Sequence, residues 1–233
     1  MGKTKKRMKK GTGLLIAGLV LVLAGAGLTG KNFYDSRQAE LYSADALSEL
    51  LAQMPEAKPV RGNAEAYLSR TGAEDPGEVP AELTAQEQAE IPLFLLDPEI
   101  PMPKLQSGGR LYIGMLNIPT LGLELPVLDD CTTSGLKLAP CRWSGSAYRN
   151  DLVICAHNYQ KHFGTLKNLV PDDAVSFTDA DGNLFTYRVV LVETLGPDDV
   201  DYVENSEYDL TLYTCTVGGQ TRVTVRCLRE ADD

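Results

Sequence analysis

The segment Thr211-Leu212-Tyr213-Thr214-Cys215, followed seven residues later by Arg222, determines how this chain is interpreted. Leu210 to Cys215 and Thr221 to Leu228 are rich in β-branched and apolar residues, and the tight turn Val217-Gly218-Gly219-Gln220 separates them, so they predict two neighbouring strands. A strand that carries a cysteine to its own edge, with a cation on the next strand, is the arrangement of a thiol nucleophile rather than of core packing.

The region around this segment, from Gly108 onward, alternates short β-prone runs with turn residues. The Asp-Gly step within Asp179 to Asn183 predicts a tight hairpin, while Ser134 to Leu138 and Thr165 to Val170 predict short helical turns. About seven strands in about 120 residues predict an all-β domain, a closed barrel or a sandwich. The predicted strands are Arg110 to Ile118, Leu123 to Leu128, Leu152 to Ala156, Ala174 to Thr178, Leu184 to Glu193, Leu210 to Cys215 and Thr221 to Leu228.

The N-terminus predicts export of this domain. Gly11 to Gly30 contains no charged residue and is just long enough to cross a bilayer as a helix. The basic cluster of residues 1–10 would stay in the cytoplasm and place the rest of the chain outside as a single-pass cell-membrane protein. A cleaved signal peptide is the alternative, because Ala24-Gly25-Ala26 resembles a cleavage site.

Residues 31–107 predict a stalk between the anchor and the domain at 108–230. Asn32 to Met54 predicts an amphipathic helix, and the Pro-rich composition of Pro55 to Lys104 predicts a loosely ordered linker. The apolar run Ile91 to Leu96 is expected to pack on the domain or near its groove. The predicted apolar face of the helix comprises Phe33, Leu41, Ala44, Leu47, Leu50 and Leu51.

The charge distribution excludes some functions. The net charge is −10, yet six of the 22 Lys and Arg residues lie in the first ten positions, which leaves 16 basic residues against 32 acidic ones. Phosphates and anionic lipids would repel such a body, so nucleic-acid binding and peripheral membrane binding are not expected.

Five cysteines, an odd number, leave at least one thiol unpaired in a single chain. No CxxC pair is present and only two histidines are available, so no metal site is predicted. A disulfide between Cys131 and Cys141 and one between Cys155 and Cys215 both stay open. Burial as a small core residue is the simpler interpretation of Cys155, and also of Cys227.

A cysteine nucleophile needs a base, and His157 is the better candidate. It follows the apolar strand Leu152 to Ala156, at a strand end where a sheet fixes the backbone and a loop admits substrate. His162 lies within the loop and is interpreted as structural.

These features together resemble the sortase family of Gram-positive cysteine transpeptidases. Its members carry a histidine after an apolar strand, then a TLxTC strand and an arginine strand, as here with His157, Cys215 and Arg222. Tyr112 to Pro119, Phe163 to Leu166 and Val175 to Thr178 extend the similarity, which is greatest to class B and D clostridial members. The resemblance implies an eight-stranded β-barrel.

The resemblance also implies roles. Cys215 would be the nucleophile, His157 the general acid and base, and Arg222 the donor to substrate or oxyanion, with Arg226 as the rival cation. The short turn before Arg222 departs from many sortases, which carry a longer loop. Residues flanking the triad, namely Thr214, Asn158 and Thr216, would bind substrate. No cofactor is predicted, although some sortases use calcium and the carboxylates of Asp172, Asp173 and Glu193 are available.

The implied reaction is cleavage of an LPxTG-like sorting signal on an exported protein through a Cys215 thioacyl intermediate. An amine of peptidoglycan precursor or of a pilin lysine would then accept the acyl group. Two alternatives stay open: a surface cysteine peptidase with water as acceptor, and an inactive barrel that serves as a binding module.

Overall fold

The structure, a computed structural model, describes residues 10–60, 92–204, 206–216 and 218–230. It divides into two compact units, Met1–Gln38 and Ala39–Asp233. This division differs from the predicted boundaries at residues 30 and 107, because residues 39–60 and 92–107 belong to the same unit as the barrel. Most of the predicted Pro-rich linker, residues 61–91, lies outside the described residues.

One long helix, α1 (Lys10–Leu51), includes the predicted anchor. Its segment from Gly13 is long and apolar enough to cross a membrane, judged by length and composition. Large apolar side chains such as Leu14, Leu15 and Leu21 are exposed along it. The predicted anchor is thus a helix of suitable length, which fits a membrane span.

Eight strands close into a ring, which confirms the barrel that the resemblance implied. Around the ring each strand pairs with the next in the order β3, β4, β5, β6, β9, β10, β8 and β7, and β7 closes on β3. The short strands β1 and β2 extend β8 and β3 at the edges. The bounds are β1 Lys58–Pro59, β2 Leu105–Ser107, β3 Arg110–Ile118, β4 Leu123–Leu128, β5 Cys141–Ser144, β6 Leu152–Ala156, β7 Ala174–Asp179, β8 Asn183–Leu195, β9 Leu210–Cys215 and β10 Arg222–Arg229.

Helical structure within the barrel unit is short, as predicted. Besides α1, the described residues contain α2 (Leu93–Leu96), α3 (Val200–Glu204) and two 3-10 turns at Pro119–Leu121 and Phe163–Asn168. The second 3-10 turn overlaps the helical turn predicted at Thr165 to Val170.

Local sequence explains two tight features of the barrel. Gly114 adopts φ +148° where β3 meets β7, and a Cβ there would lie 2.0 Å from the Thr178 carbonyl oxygen, so the position requires glycine. The predicted hairpin joins β7 to β8, and one Asp179 carboxylate oxygen accepts hydrogen bonds from the backbone N–H groups of Asp181 and Asn183.

The main core fills the barrel. The helix α2, which lies in the apolar run before the barrel, packs against one part of that core. Phe94 of α2 is buried and stacks on Tyr148 with ring centroids 4.1 Å apart. It also contacts Phe185 of β8. The expectation that this run packs on the domain is confirmed.

A second, smaller core lies between the C-terminal part of α1 and the outer face of the barrel. Leu50 and Ala46 of α1 pack there with Tyr112, Leu128 and Cys155, among others. The predicted apolar face packs only in part: Leu50 is buried, whereas Phe33, Leu41 and Leu51 are exposed. Small side chains allow a helix to approach a sheet closely, and the buried face consists of Ala39, Ser43, Ala46 and Leu50.

We expect α1 to be an energetic part of the barrel unit. Leu50→Ala should lower the free energy of unfolding by about 2–5 kcal/mol, because it opens a cavity in the second core. Leu51→Ala is the matched control: the side chain of Leu51 is 49% exposed, and its loss should change stability by about 0.5 kcal/mol or less. Urea denaturation of both variants measures the difference, and equal losses would contradict this account.

Candidate active site

The three residues predicted to do the chemistry lie on adjacent strands. β6 pairs with β9 in parallel, and the last residue pair of this ladder is Ala156 with Thr214. His157 and Cys215 directly follow these two residues in the chain. β9 pairs with β10 in antiparallel fashion, and Arg222 is the direct partner of Cys215. Residues directly opposite each other have Cα atoms about 4.5–5.5 Å apart and side chains on the same face.

The short turn between β9 and β10 produces this pairing. Gly218 and Gly219 adopt φ +90° and +73°, a region open to glycine, and the Thr216 N–H donates to the Thr221 carbonyl across the turn. The Arg222 guanidinium donates from Nη1 to the carbonyl oxygens of Gly219 and Thr221 at 2.9 and 3.1 Å.

A cavity of about 240 Å³ opens where these strands end. His157, Cys215, Arg222 and Thr214 line it, and so does Cys155. Three further side chains form a mostly apolar wall, namely Leu136, Trp143 and Tyr213. The segment between β8 and β9 supplies the other wall with Gly196, Pro197, Asp199 and Val203.

The electrostatic surroundings favour a neutral His157. Burial lowers the pKa of this half-buried imidazole, and the nearby charge of Lys137 lowers it further, whereas Cys131 acts in the opposite direction. The imidazolium form of His157 is therefore less favoured than that of an exposed histidine. The Cys215 side chain is half-buried, so the thiol is open to a ligand in the cavity.

Comparisons with known proteins identify the domain that carries this cavity. The Sortase domain family matches residues 116–230. These residues are therefore a member of the sortase domain family. Sortase A of Bacillus anthracis is 25% identical over 206 residues, which cover 86% of this chain and 85% of that protein. Membership supports a cysteine transpeptidase of the sortase type.

Solved structures with a similar fold come from several sortase classes. Sortase C1 from Streptococcus agalactiae is 23% identical and covers 73% of this chain and 87% of its own, with a TM-score of 0.48. Sortase C from Clostridium perfringens is 21% identical, with 52% of this chain and 71% of that chain covered and a TM-score of 0.44.

The rival arginine of the sortase domain has different surroundings. Arg226 is fully buried, pairs with Glu193 at 2.9 Å and donates to the carbonyl oxygen of Tyr202. Its guanidinium also lies 5.1 Å from the ring centroid of Tyr202 and 5.4 Å from that of Tyr208. Arg226 thus ties the β8–β9 segment, one wall of the cavity, to the barrel.

The three residues expected to bind substrate are dispersed. Thr214 lines the cavity, but it is buried and its hydroxyl donates to the Ala156 carbonyl at 2.8 Å. Asn158 is exposed and does not line the cavity. The Thr216 hydroxyl bonds with Thr221 inside the turn, 2.9 Å from its hydroxyl.

His162 is a structural residue of the sortase domain in this structure. It is fully buried, and its Nε2 lies 3.0 Å from the hydroxyl oxygen of Ser43 on α1. Burial lowers the pKa of His162 to about 4, and the neighbouring His157 adds to this effect. The imidazole therefore stays neutral at pH 7 and connects the loop after β6 to α1.

Two of the three carboxylates available for calcium have other partners. Asp173 accepts hydrogen bonds from Thr120 and from the Val170 N–H, while Glu193 pairs with Arg226. In the parts of the chain that the structure describes, no group of three or more His, Cys, Asp or Glu side chains is placed to hold a metal ion.

Sequence reasoning missed most of the cavity walls. Leu136 and the β8–β9 segment carried no recognised motif, and they reach the site only through the fold. Trp143, beside a Ser-Gly-Ser turn, also lines the cavity. Its indole N–H donates to Glu204, and its ring meets the Tyr213 ring edge-on at 5.9 Å.

Acid should destabilise the domain through His162. The unfolded chain binds a proton near pH 6.5 and the folded chain only near pH 4, so stability is present at neutral pH and is lost as the pH falls between these values. The loss amounts to about 3 kcal/mol. Urea denaturation at pH 7 and pH 4.5 should show a steeper decline for the wild type than for His162→Gln. Parallel declines would contradict the buried neutral state.

The two arginines should differ in stability. Arg226→Met should cost about 3 kcal/mol, because it leaves the partly buried Glu193 carboxylate and the Tyr202 carbonyl without their donor. Arg222→Met should cost less than about 1 kcal/mol, since it removes hydrogen bonds of a half-exposed side chain to its own turn. Thermal and urea unfolding test this, and a larger loss for Arg222→Met would reverse the assignment.

Proposed function

We propose that this chain is a membrane-anchored cysteine transpeptidase that cleaves an LPxTG-like sorting signal and transfers the acyl group to an amine. The observation that carries the proposal is the meeting of His157, Cys215 and Arg222 at one cavity of a sortase domain. The proposed partners are exported proteins with a C-terminal sorting signal, and a peptidoglycan precursor or pilin amine as acceptor. The apolar wall of Leu136, Trp143 and Tyr213 suits the leucine of such a signal.

In the first half-reaction, the Cys215 sulfur attacks the scissile carbonyl carbon. His157, neutral at rest, takes the thiol proton and returns it to the amine of the leaving peptide. The products are a thioacyl enzyme at Cys215 and a free C-terminal peptide.

In the second half-reaction, an amine enters the cavity and attacks the thioester. His157 removes its proton, the tetrahedral intermediate collapses, and the Cys215 thiolate leaves and is reprotonated. With water in place of the amine, the same steps give hydrolysis, which is the peptidase alternative.

Arg222 is the group proposed to bind the oxyanion in both halves. It lies opposite Cys215 in the register, so its donors are close to the carbon that sulfur attacks. A fixed cation at that point is worth most in the transition state, where the carbonyl oxygen gains charge. Its two bonds to turn carbonyls would be exchanged for bonds to substrate.

The proposed location is the cell surface, with α1 as a single membrane span. Large apolar side chains between residues 14 and 28 are exposed, and such a surface suits contact with lipid. No cofactor is part of the proposed reaction.

The test uses the full chain in detergent micelles with a fluorescence-quenched LPxTG-type peptide. We expect an acyl-enzyme in the intact mass at Cys215, release of the C-terminal product, and transfer to added hydroxylamine. Cys215→Ala should lose acylation and lower turnover at least about 1,000-fold. Arg222→Met should lower kcat by about 100-fold with little change in stability.

Cys227→Ala is the control, because this thiol is buried in the main core, away from the cavity. It should keep the acyl-enzyme. Undiminished cleavage by Cys215→Ala would refute the mechanism, and hydrolysis without any hydroxylamine product would favour the peptidase. Failure of Cys215 to react with a thiol-directed peptide inhibitor would favour a binding module.

A further inference from the structure

Three thiols meet on the outer face of the barrel beside the cavity. Cys141 of β5 and Cys155 of β6 are direct partners in an antiparallel pair. Cys131, three residues after the end of β4, packs against the same cluster. This cluster belongs to the second core and plays no part in the proposed reaction.

The three thiols are not equivalent. Cys141 and Cys155 are buried, whereas Cys131 is half-buried and open to small reagents. Hydrogen bonds from Cys141 and then Cys155 lower the pKa of Cys131 to about 4, and the same bonds together with burial raise the pKa of both partners. The cluster therefore favours the thiolate form of Cys131 over that of either partner, and thiolates are the form that oxidants attack.

Of the two partners, Cys141 is the one that we expect to bond covalently with Cys131. Its thiol has the largest influence on the pKa of Cys131. The Cys155 thiol has a further partner, since it also bonds with the Tyr213 hydroxyl. A bond from Cys131 to Cys141 closes only the short loop between them.

We propose that Cys131 and Cys141 are a reversible oxidation site of this protein, with a hydroperoxide as the oxidant. The Cys131 thiolate attacks one peroxide oxygen and becomes a sulfenic acid, while the other oxygen leaves as hydroxide or alkoxide. The Cys141 sulfur then displaces the sulfenic oxygen, its proton goes to the departing hydroxide, and a disulfide and water result. The two thiols lose two electrons, and the peroxide gains them.

The site has a direct connection to the cavity. The loop from 131 to 141 carries Leu136, which forms part of the cavity wall, and Lys137, whose charge lowers the pKa of His157. A disulfide would fix this loop and remove the negative charge of Cys131. Since Cys131 raises the pKa of His157, oxidation should lower that pKa further.

The experiment uses the full chain with Cys215→Ala in detergent micelles, so that the nucleophile cannot take part. Trypsin separates the five cysteines into five peptides, because Lys or Arg residues lie between each pair. After hydrogen peroxide, we expect the intact mass to fall by two hydrogen atoms and one peptide to join Cys131 with Cys141. The thermal midpoint should rise by about 5 °C and return after treatment with a reductant.

Two variants in the same background sharpen the result. Cys141→Ser should stop at a sulfenic acid on Cys131, which a 1,3-dione reagent traps. Cys227→Ser, at a buried site in the other core, should still form the disulfide. The titration of His157, followed by NMR beside the single other histidine, should move to lower pH on oxidation.

A disulfide between Cys131 and Cys155, a mass loss that persists in Cys131→Ser, or no loss at all would overturn the proposal. The result is independent of the proposed transpeptidase reaction, because the protein tested lacks Cys215. Failure of the peptide-cleavage assay would therefore leave this oxidation site intact, and the reverse also holds.

Discussion

The pairing of β9 with β6 on one side and β10 on the other is the constraint on which the site depends. Backbone hydrogen bonds set both registers. A shift of either register by one residue would turn the side chains of that strand to the opposite face of the sheet. The parallel pair brings His157 and Cys215 to the same edge. The antiparallel pair sets Arg222 opposite Cys215 across a two-glycine turn. Three reactive side chains are thus positioned by the sheet itself.

The two faces of β6 connect the site to both cores. Leu152, Ile154 and Ala156 face the barrel interior, while Cys155 packs in the second core. Residues 39–51 of α1 cover that outer face, and the Ser43 hydroxyl is within hydrogen-bond distance of His162 in the loop after β6. The opposite wall depends on Arg226, which holds the β8–β9 segment through two aromatic rings and two backbone carbonyls. Elements far apart in sequence therefore determine the shape of the cavity.

Much of the barrel was predictable because its strands carry strong local signals. β3, β4, β6 and β9 begin and end where their apolar and β-branched runs do. β5 was missed, since Cys-Arg-Trp-Ser is only four residues long and lacks alternation; pairing with β6 makes it a strand. The packed face of α1 was predicted only in part, with Leu50 correct, for a related reason: hydrophobicity ranks leucine above alanine, whereas close approach to the sheet selected Ala39, Ser43 and Ala46.

The sequence alone determined the strands, the apolar N-terminal helix, and the few residue types capable of thiol chemistry, because these depend on neighbours within about ten residues. Only the tertiary structure decided which arginine lies in the cavity and which is buried beneath its wall. It also decided that Cys131, Cys141 and Cys155 meet in one cluster. Contacts of this kind depend on the register of strands distant in the chain, and no local pattern of residues encodes a distance across a barrel.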